Sequence, residues 1–113
     1  FVLTRGFDQC LILYPLDEWK KVEGQLGSLS SIKVRHRNFV RSIVRCAIHV
    51  KYDSQGRIAI PDNLLQYAKI DSNVAVIGMI KKIEIWSPNL LNNNDSDDLM
   101  DGDYEDLANE INF

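Results

Sequence analysis

The sequence predicts a β-rich α+β domain, and three observations carry that expectation. Short runs alternate apolar and polar residues with period two, as in 46–52 and 57–60, the pattern of half-buried strands. Two longer stretches, 16–26 and 31–45, read as helices. The chain also repeats itself: Gly6 and Gly78 are 72 positions apart (78 − 6), as are Tyr14 and Trp86 (86 − 14). In each copy an apolar run ends in glycine, a short polar link follows, and an alternating run ends in an aromatic residue.

Residues 1–5 and 10–14 are an expected strand pair joined by Gly6-Phe7-Asp8-Gln9, and Pro15 ends the second strand. The helix over 16–26 carries Asp17 and Glu18 in its first turn, which favours the dipole. Gly24 weakens that helix near its end, and Gly27 suits a stop. In the second helix Phe39, Val40, Ile43, Val44 and Ala47 give one apolar stripe. Arg37, Arg41 and Arg45 lie four apart on a neighbouring face. Like charges at that spacing repel modestly, so acids or phosphates nearby would ease the row, although such a run is ordinarily a solvated face.

The strands expected over 46–52 and 57–60 flank Asp53-Ser54-Gln55-Gly56, a polar interval suited to a hairpin turn. Asp can bond its own backbone, and Gly accepts positive φ. Pro61 stops the second strand and opens a short helix over 61–69. A second strand pair is expected at 74–77 and 82–86, with Lys81 and Lys82 at its turn. After Pro88 the run from Asn92 to Asp98 is low in complexity and poor in helix formers. Residues 89–113 are expected as a peripheral acidic tail, partly disordered, with Leu107, Ala108 and Ile111 able to form a helical turn or two.

At 113 residues the chain suits one compact domain. No run approaches the roughly 18–20 apolar residues of a membrane span, and the first residues lack the basic end and apolar core of a signal peptide. Cys10 and Cys46 do not make a disulfide framework and are expected as buried thiols in a reducing cytoplasm. The net charge of −3 is unevenly spread. Residues 33–57 hold Lys33, Arg35, Arg37, Arg41, Arg45, Lys51 and Arg57 against Asp53 alone, whereas 89–113 hold eight acids and no Lys or Arg. Catalysis finds little support. His36 and His49 join no triad pattern, and with Cys10 and Cys46 they lack metal-ligand spacing. There is no glycine-rich phosphate loop, and Asp95, Asp97 and Asp98 lack the Gly and distal Glu of a calcium loop. Trp19, Trp86 and Tyr14 sit at element ends and are expected in the core. The expectation is a protein without enzymatic activity, cofactor, metal or small-molecule substrate.

The segment Asp53-Ser54-Gln55-Gly56-Arg57-Ile58-Ala59-Ile60-Pro61, followed by Asn63-Leu64 and Tyr67-Ala68, resembles the second SpoVT/AbrB-type repeat of the MraZ family. So do Phe1-Val2-Leu3-Thr4-Arg5-Gly6, Leu13-Tyr14-Pro15-Leu16, Glu18-Trp19, Phe39-Val40-Arg41 and Ile83-Glu84-Ile85-Trp86-Ser87. The resemblance implies a swapped-hairpin, AbrB-like double-repeat barrel with peripheral helices. It also implies a transcriptional regulator of the division and cell-wall gene cluster that assembles into rings and binds DNA through Asp-x-x-x-Arg loops. On this reading 1–46 hold the remainder of the first repeat plus connecting helices, 47–90 the second repeat, and 91–113 the acidic tail. The first copy's hairpin would fall before Phe1 (53 − 72), so the sequence reads as beginning inside its first repeat, with 1–5 and 10–14 short of strand neighbours. Positions that commonly carry Lys, Arg and Gly in the family are Ser54, Leu65 and Lys69 here. The first two replacements remove cations; the third removes the favoured residue for a left-handed helix stop.

The candidate DNA contacts are Lys51, Asp53, Ser54, Gln55, Gly56 and Arg57 of the hairpin, with Arg41 of the second helix. Arg57 offers five fixed donors and a permanent charge, matching phosphate or guanine geometry. Asp53 can hold that guanidinium across the loop, Gly56 permits a tight backbone, and a two-stranded ribbon is one of the elements a major groove admits. The expected partners are double-stranded DNA and further copies of the chain in a ring-like homo-oligomer, in the cytoplasm at the nucleoid and away from membranes. The rival expectation is an antitoxin-like protein-interaction module that uses the same hairpin for assembly.

Overall fold

A computed structural model describes residues 1–98 and 101–111. The elements run β1 (Val2–Arg5), β2 (Leu11–Tyr14), α1 (Leu16–Gly27), α2 (Val34–Val44), β3 (Ile48–His49), α3 (Asp62–Ala68), β4 (Ala75–Gly78), β5 (Ile83–Trp86), α4 (Pro88–Asp98) and α5 (Asp101–Glu110). The α+β class is as expected. One antiparallel sheet of order β3-β1-β2-β5-β4 holds the molecule together.

The sheet is built around the internal repeat. At its centre β2 pairs with β5 through Leu11 and Ile85, Ile12 and Glu84, and Leu13 and Ile83. Ile12 and Glu84 are 72 apart (84 − 12), so the two copies meet at equivalent residues, as a pseudo-twofold axis requires. Each copy's first strand then flanks the centre, β1 beside β2 and β4 beside β5. The hairpin registers differ by one residue. Val2 faces Tyr14, but Ala75, not Val74, faces Trp86. The second turn is tighter, and Ile80 within it takes a φ of 70°, which is strained for a β-branched residue.

The expectation that 1–5 and 10–14 lack neighbours is not met. β3, from the second copy, crosses to the first and pairs with β1 through Val2 with His49 and Leu3 with Ile48. The Val50 N–H extends this pairing to the Phe1 carbonyl at 2.9 Å. β1 and β2 are therefore flanked on both sides. Among the described residues the strand left with an open outer edge, besides the short β3, is β4, where Val76 is 62% exposed. The sheet of this chain is open rather than closed into a barrel.

Period-two alternation divides the core between the two faces. Leu3, Leu11, Leu13 and Ile85 pack with Val50, Ile70 and the α3 residues Leu64 and Ala68. Val2 turns the other way, onto Trp19 and Leu26 of α1 and Ile43 of α2, and the buried Thr4 hydroxyl donates to the Ile43 carbonyl at 3.2 Å. A third cluster joins Cys10, Ile12 and Trp86 to Leu90 and Leu91. Trp19 and Trp86 are buried as expected, whereas Tyr14 is half-buried.

Three local expectations need correction. Strand structure in the predicted hairpin is limited to Ile48–His49, and 57–60 join no ladder. Their alternation survives for another reason: Ile58 and Ile60 pack against the core while Ala59 stays outside. The apolar stripe of α2 is narrower than predicted, because Phe39 and Val44 are exposed and Ile43 alone is buried. The tail is helical over 88–98 and 101–110. Pro88 suits a first helical turn, and Leu90 and Leu91 pack against the cluster of Cys10, Ile12 and Trp86, a tertiary contact that propensity does not register.

Candidate nucleic-acid interface

The loop after β3 is organised by one carboxylate. The Asp53 N–H donates to the Arg57 carbonyl at 2.8 Å, and the Gly56 N–H donates to the Asp53 carbonyl at 3.0 Å, closing the turn. Gly56 sits at φ 76°, which a side chain would strain. Asp53 Oδ1 accepts the backbone N–H groups of Gln55 and Arg57, both at 2.9 Å. Its Oδ2 accepts Arg57 Nε, also at 2.9 Å. The Arg57 N–H, the Gln55 N–H and the Arg57 guanidinium together hold the Asp53 carboxyl below the usual carboxylate range. A turn whose ends are pinned by a side chain needs no ladder behind it, which is why the loop keeps its shape beside so short a strand.

The clamp leaves the guanidinium usable. Nε is occupied by Asp53, but the Arg57 side chain is 71% exposed, and its two terminal nitrogens have no protein partner among the described residues. An exposed ion pair of this kind contributes little to stability; its effect is to fix where a forked donor points. Ser54 and Gln55 are exposed at the tip, and Lys51 is exposed two residues before the clamp.

The structure thus joins Asp53, Gln55, Gly56 and Arg57 by hydrogen bonds, with Ser54 inside the same turn and Lys51 beside it. Arg41 stands apart on α2, exposed, with its Nη1 donating to Asn38 Oδ1 at 3.1 Å. No hydrogen bond or ion pair among the described residues ties it to the loop.

Tyr67 is a residue whose role the sequence did not disclose. Its hydroxyl lies 3.1 Å from both the Gly6 and Asp8 carbonyls, its own carbonyl accepts Gln9 Nε2 at 3.1 Å, and Arg5 lies 4.3 Å over its ring. It fastens α3 of the second copy to the β1–β2 turn of the first and so fixes the platform from which the loop extends. The signal was present only as part of the Tyr67-Ala68 motif. Cys10, by contrast, is buried, and burial first, then Glu84 and Asp8, push its thiol up to about 12, so it is no nucleophile. Cys46 is half-buried and unpaired. His36 Nδ1 accepts the Ser30 N–H at 3.1 Å, and His49 is exposed on β3. No described helix is long and apolar enough to cross a membrane.

Fold and loop together define a two-repeat α+β protein that holds a clamped, cation-tipped turn outside an antiparallel sheet. The family described as "MraZ protein, putative antitoxin-like" matches residues 1–42 and again 43–93. The transcriptional regulator MraZ of Halothermothrix orenii is 46% identical over 87 residues, which make up 77% of this chain and 61% of that relative. The chain belongs to the MraZ family. It spans 61% of the length of the curated relative it matches.

Proposed function

We propose that the chain is a sequence-specific, non-catalytic DNA-binding transcriptional regulator, acting as a ring-like homo-oligomer in the cytoplasm at the nucleoid. The regulated genes on this reading are those of the division and cell-wall cluster. The observation that carries the proposal is the Asp53–Arg57 clamp, which presents a fixed guanidinium on an otherwise polar turn. Arg57 makes the principal contact, to guanine or phosphate; Ser54, Gln55 and the Gly56 backbone approach the duplex with it, and Lys51 and Arg41 supply phosphate charge. The name printed for the Halothermothrix relative, a transcriptional regulator, supports the reading.

The second reading, an antitoxin-like assembly module, is favoured by the printed family description. Duplex binding against salt separates the two. A DNA reader shows log affinity falling with log salt at about −0.9 per phosphate contacted, and Arg57→Ala flattens that slope. A module that binds only protein shows no duplex affinity to lose.

A further inference from the structure

We propose that the N-terminal half of α2 is the docking surface for α5 of a second copy of this chain. The inference rests on the oligomeric part of the function proposed above and names the contact that builds the assembly.

The receiving surface is both apolar and basic. Lys33, Val34, Arg35, His36 and Phe39 line one open depression. Val34 is 57% exposed, and the Phe39 ring stacks on Phe7, itself 82% exposed, with centroids 5.8 Å apart and planes 11° from parallel. The result is an aromatic wall standing in solvent. From Lys33 to Arg45 the chain carries cations and no acid, and among the described residues none of these cations joins an ion pair. The first turn of α2 has no acidic residue and no side-chain cap, so its backbone also favours a negative neighbour.

The complementary surface is α5. Leu107 and, one residue past the end of α5, Ile111 are four residues apart and 50% and 72% exposed. Glu110 flanks that pair, Glu105 and Asp106 stand further round the helix, and all three are exposed. An apolar pair on an acidic helix matches an apolar wall on a cationic one. Within one chain both surfaces remain open, so the match is between copies. Two differing surfaces can join head to tail, the heterologous contact that closes into a ring when its rotation permits. A duplex would use the cations but gain nothing from Val34, Phe7 and Phe39, which is why a protein partner fits better.

Sedimentation velocity at low salt on the full chain tests this. Three proteins are compared: wild type, the α2 double variant Lys33→Glu with Arg35→Glu, and the α5 triple variant Glu105→Lys, Asp106→Lys, Glu110→Lys. The expected result is an assembled wild type, two monomeric variants with native circular dichroism, and recovery of the wild-type mass in their equimolar mixture, where acidic α2 meets basic α5. The single variants Arg35→Glu and Glu110→Lys give the same pattern more weakly and serve if a multiple variant loses its fold. Either variant retaining the wild-type mass overturns the proposal, including an α2 variant that stays assembled but loses duplex binding, which would assign the face to DNA. A mixture of folded variants that stays monomeric also overturns it. A monomeric wild type removes the oligomeric reading itself, whereas an assembled wild type indifferent to both reversals removes only this interface.

Discussion

Ile12 and Glu84 face each other across the central β2–β5 pair, and each occupies the place in its own copy that the other occupies in the second. The symmetry belongs to the backbone and not to the side chains. Ile12 is buried, while Glu84 is half-buried and accepts the Trp86 indole N–H at 2.9 Å. What matters for function is what the axis does at the periphery: it sends β3 and α3 of the second copy onto β1 of the first, so the clamped turn projects from a sheet made by both copies.

Tyr67 is the fastener between those copies. Tyr67→Phe keeps the ring beneath Arg5 and loses the hydroxyl near the Gly6 and Asp8 carbonyls. The expected cost is about 1 kcal/mol, the usual net value of a hydrogen bond. Urea unfolding measures it, with an unchanged slope and a lower midpoint. An unchanged midpoint would mean that water replaces the hydroxyl without loss.

Lys69 ends α3 in the left-handed region, at φ 55° and ψ 42°. A non-glycine residue there costs about 1–2 kcal/mol, which glycine avoids in exchange for some unfolded-state entropy. Lys69→Gly is therefore expected to stabilise the chain by about 1 kcal/mol and raise its melting temperature. A lower melting temperature would show that the lysine side chain makes a compensating contact.

The α+β class, the α1 boundaries and both strand pairs were legible because each lies in a local pattern: alternation, an acidic first turn, a proline stop. The repeat spacing was legible too, but the pairing of β2 with β5 that it permits was not, because equal spacing does not say which strands of the two copies will meet. The crossing of β3 to β1 was not legible, because nothing in Ile48 or His49 says which strand will receive them. The helical state of 88–98 was hidden for a similar reason: Asn92, Asn93 and Asn94 argue against a helix locally, while the packing of the half-buried Leu90 and Leu91 against the cluster that includes Cys10 and Ile12 is a long-range fact. At the site, Asp53, Gly56 and Arg57 were readable as a turn, and the turn is there. That Arg57 meets Asp53 through Nε, leaving its terminal nitrogens free among the described residues, is set by the folded shape of the turn and is not written in residue order.

The clamp is sensitive to acid in a defined direction. Asp53 has its folded pKa lowered from the ordinary 3.8 by the Arg57 and Gln55 amides and the Arg57 guanidinium. A depressed carboxylate contributes order that is present above pH 3.8 and is lost as pH falls through the lower folded value. The amide resonances of Gln55 and Arg57, followed by NMR as pH is lowered, are expected to titrate together with a midpoint below 3.8. Asp53→Asn removes the titration. A midpoint at or above 3.8 would show that the carboxylate is not held by these donors.

Arg57 against Arg41 tests the central claim most directly. Operator binding is measured for wild type, Arg57→Ala, Arg57→Lys and Arg41→Ala, each with circular dichroism to confirm the fold. The expected outcome is a loss of roughly 1–3 kcal/mol per contacting subunit for Arg57→Ala, multiplied where several subunits engage one site. Arg57→Lys restores only part of it, since an ammonium cannot reproduce a forked contact. Arg41→Ala shifts binding modestly and equally for all sequences, as a phosphate contact does. The account is contradicted if folded Arg57→Ala binds like wild type while folded Arg41→Ala abolishes binding, for then the helix, and not the clamped turn, reads the DNA.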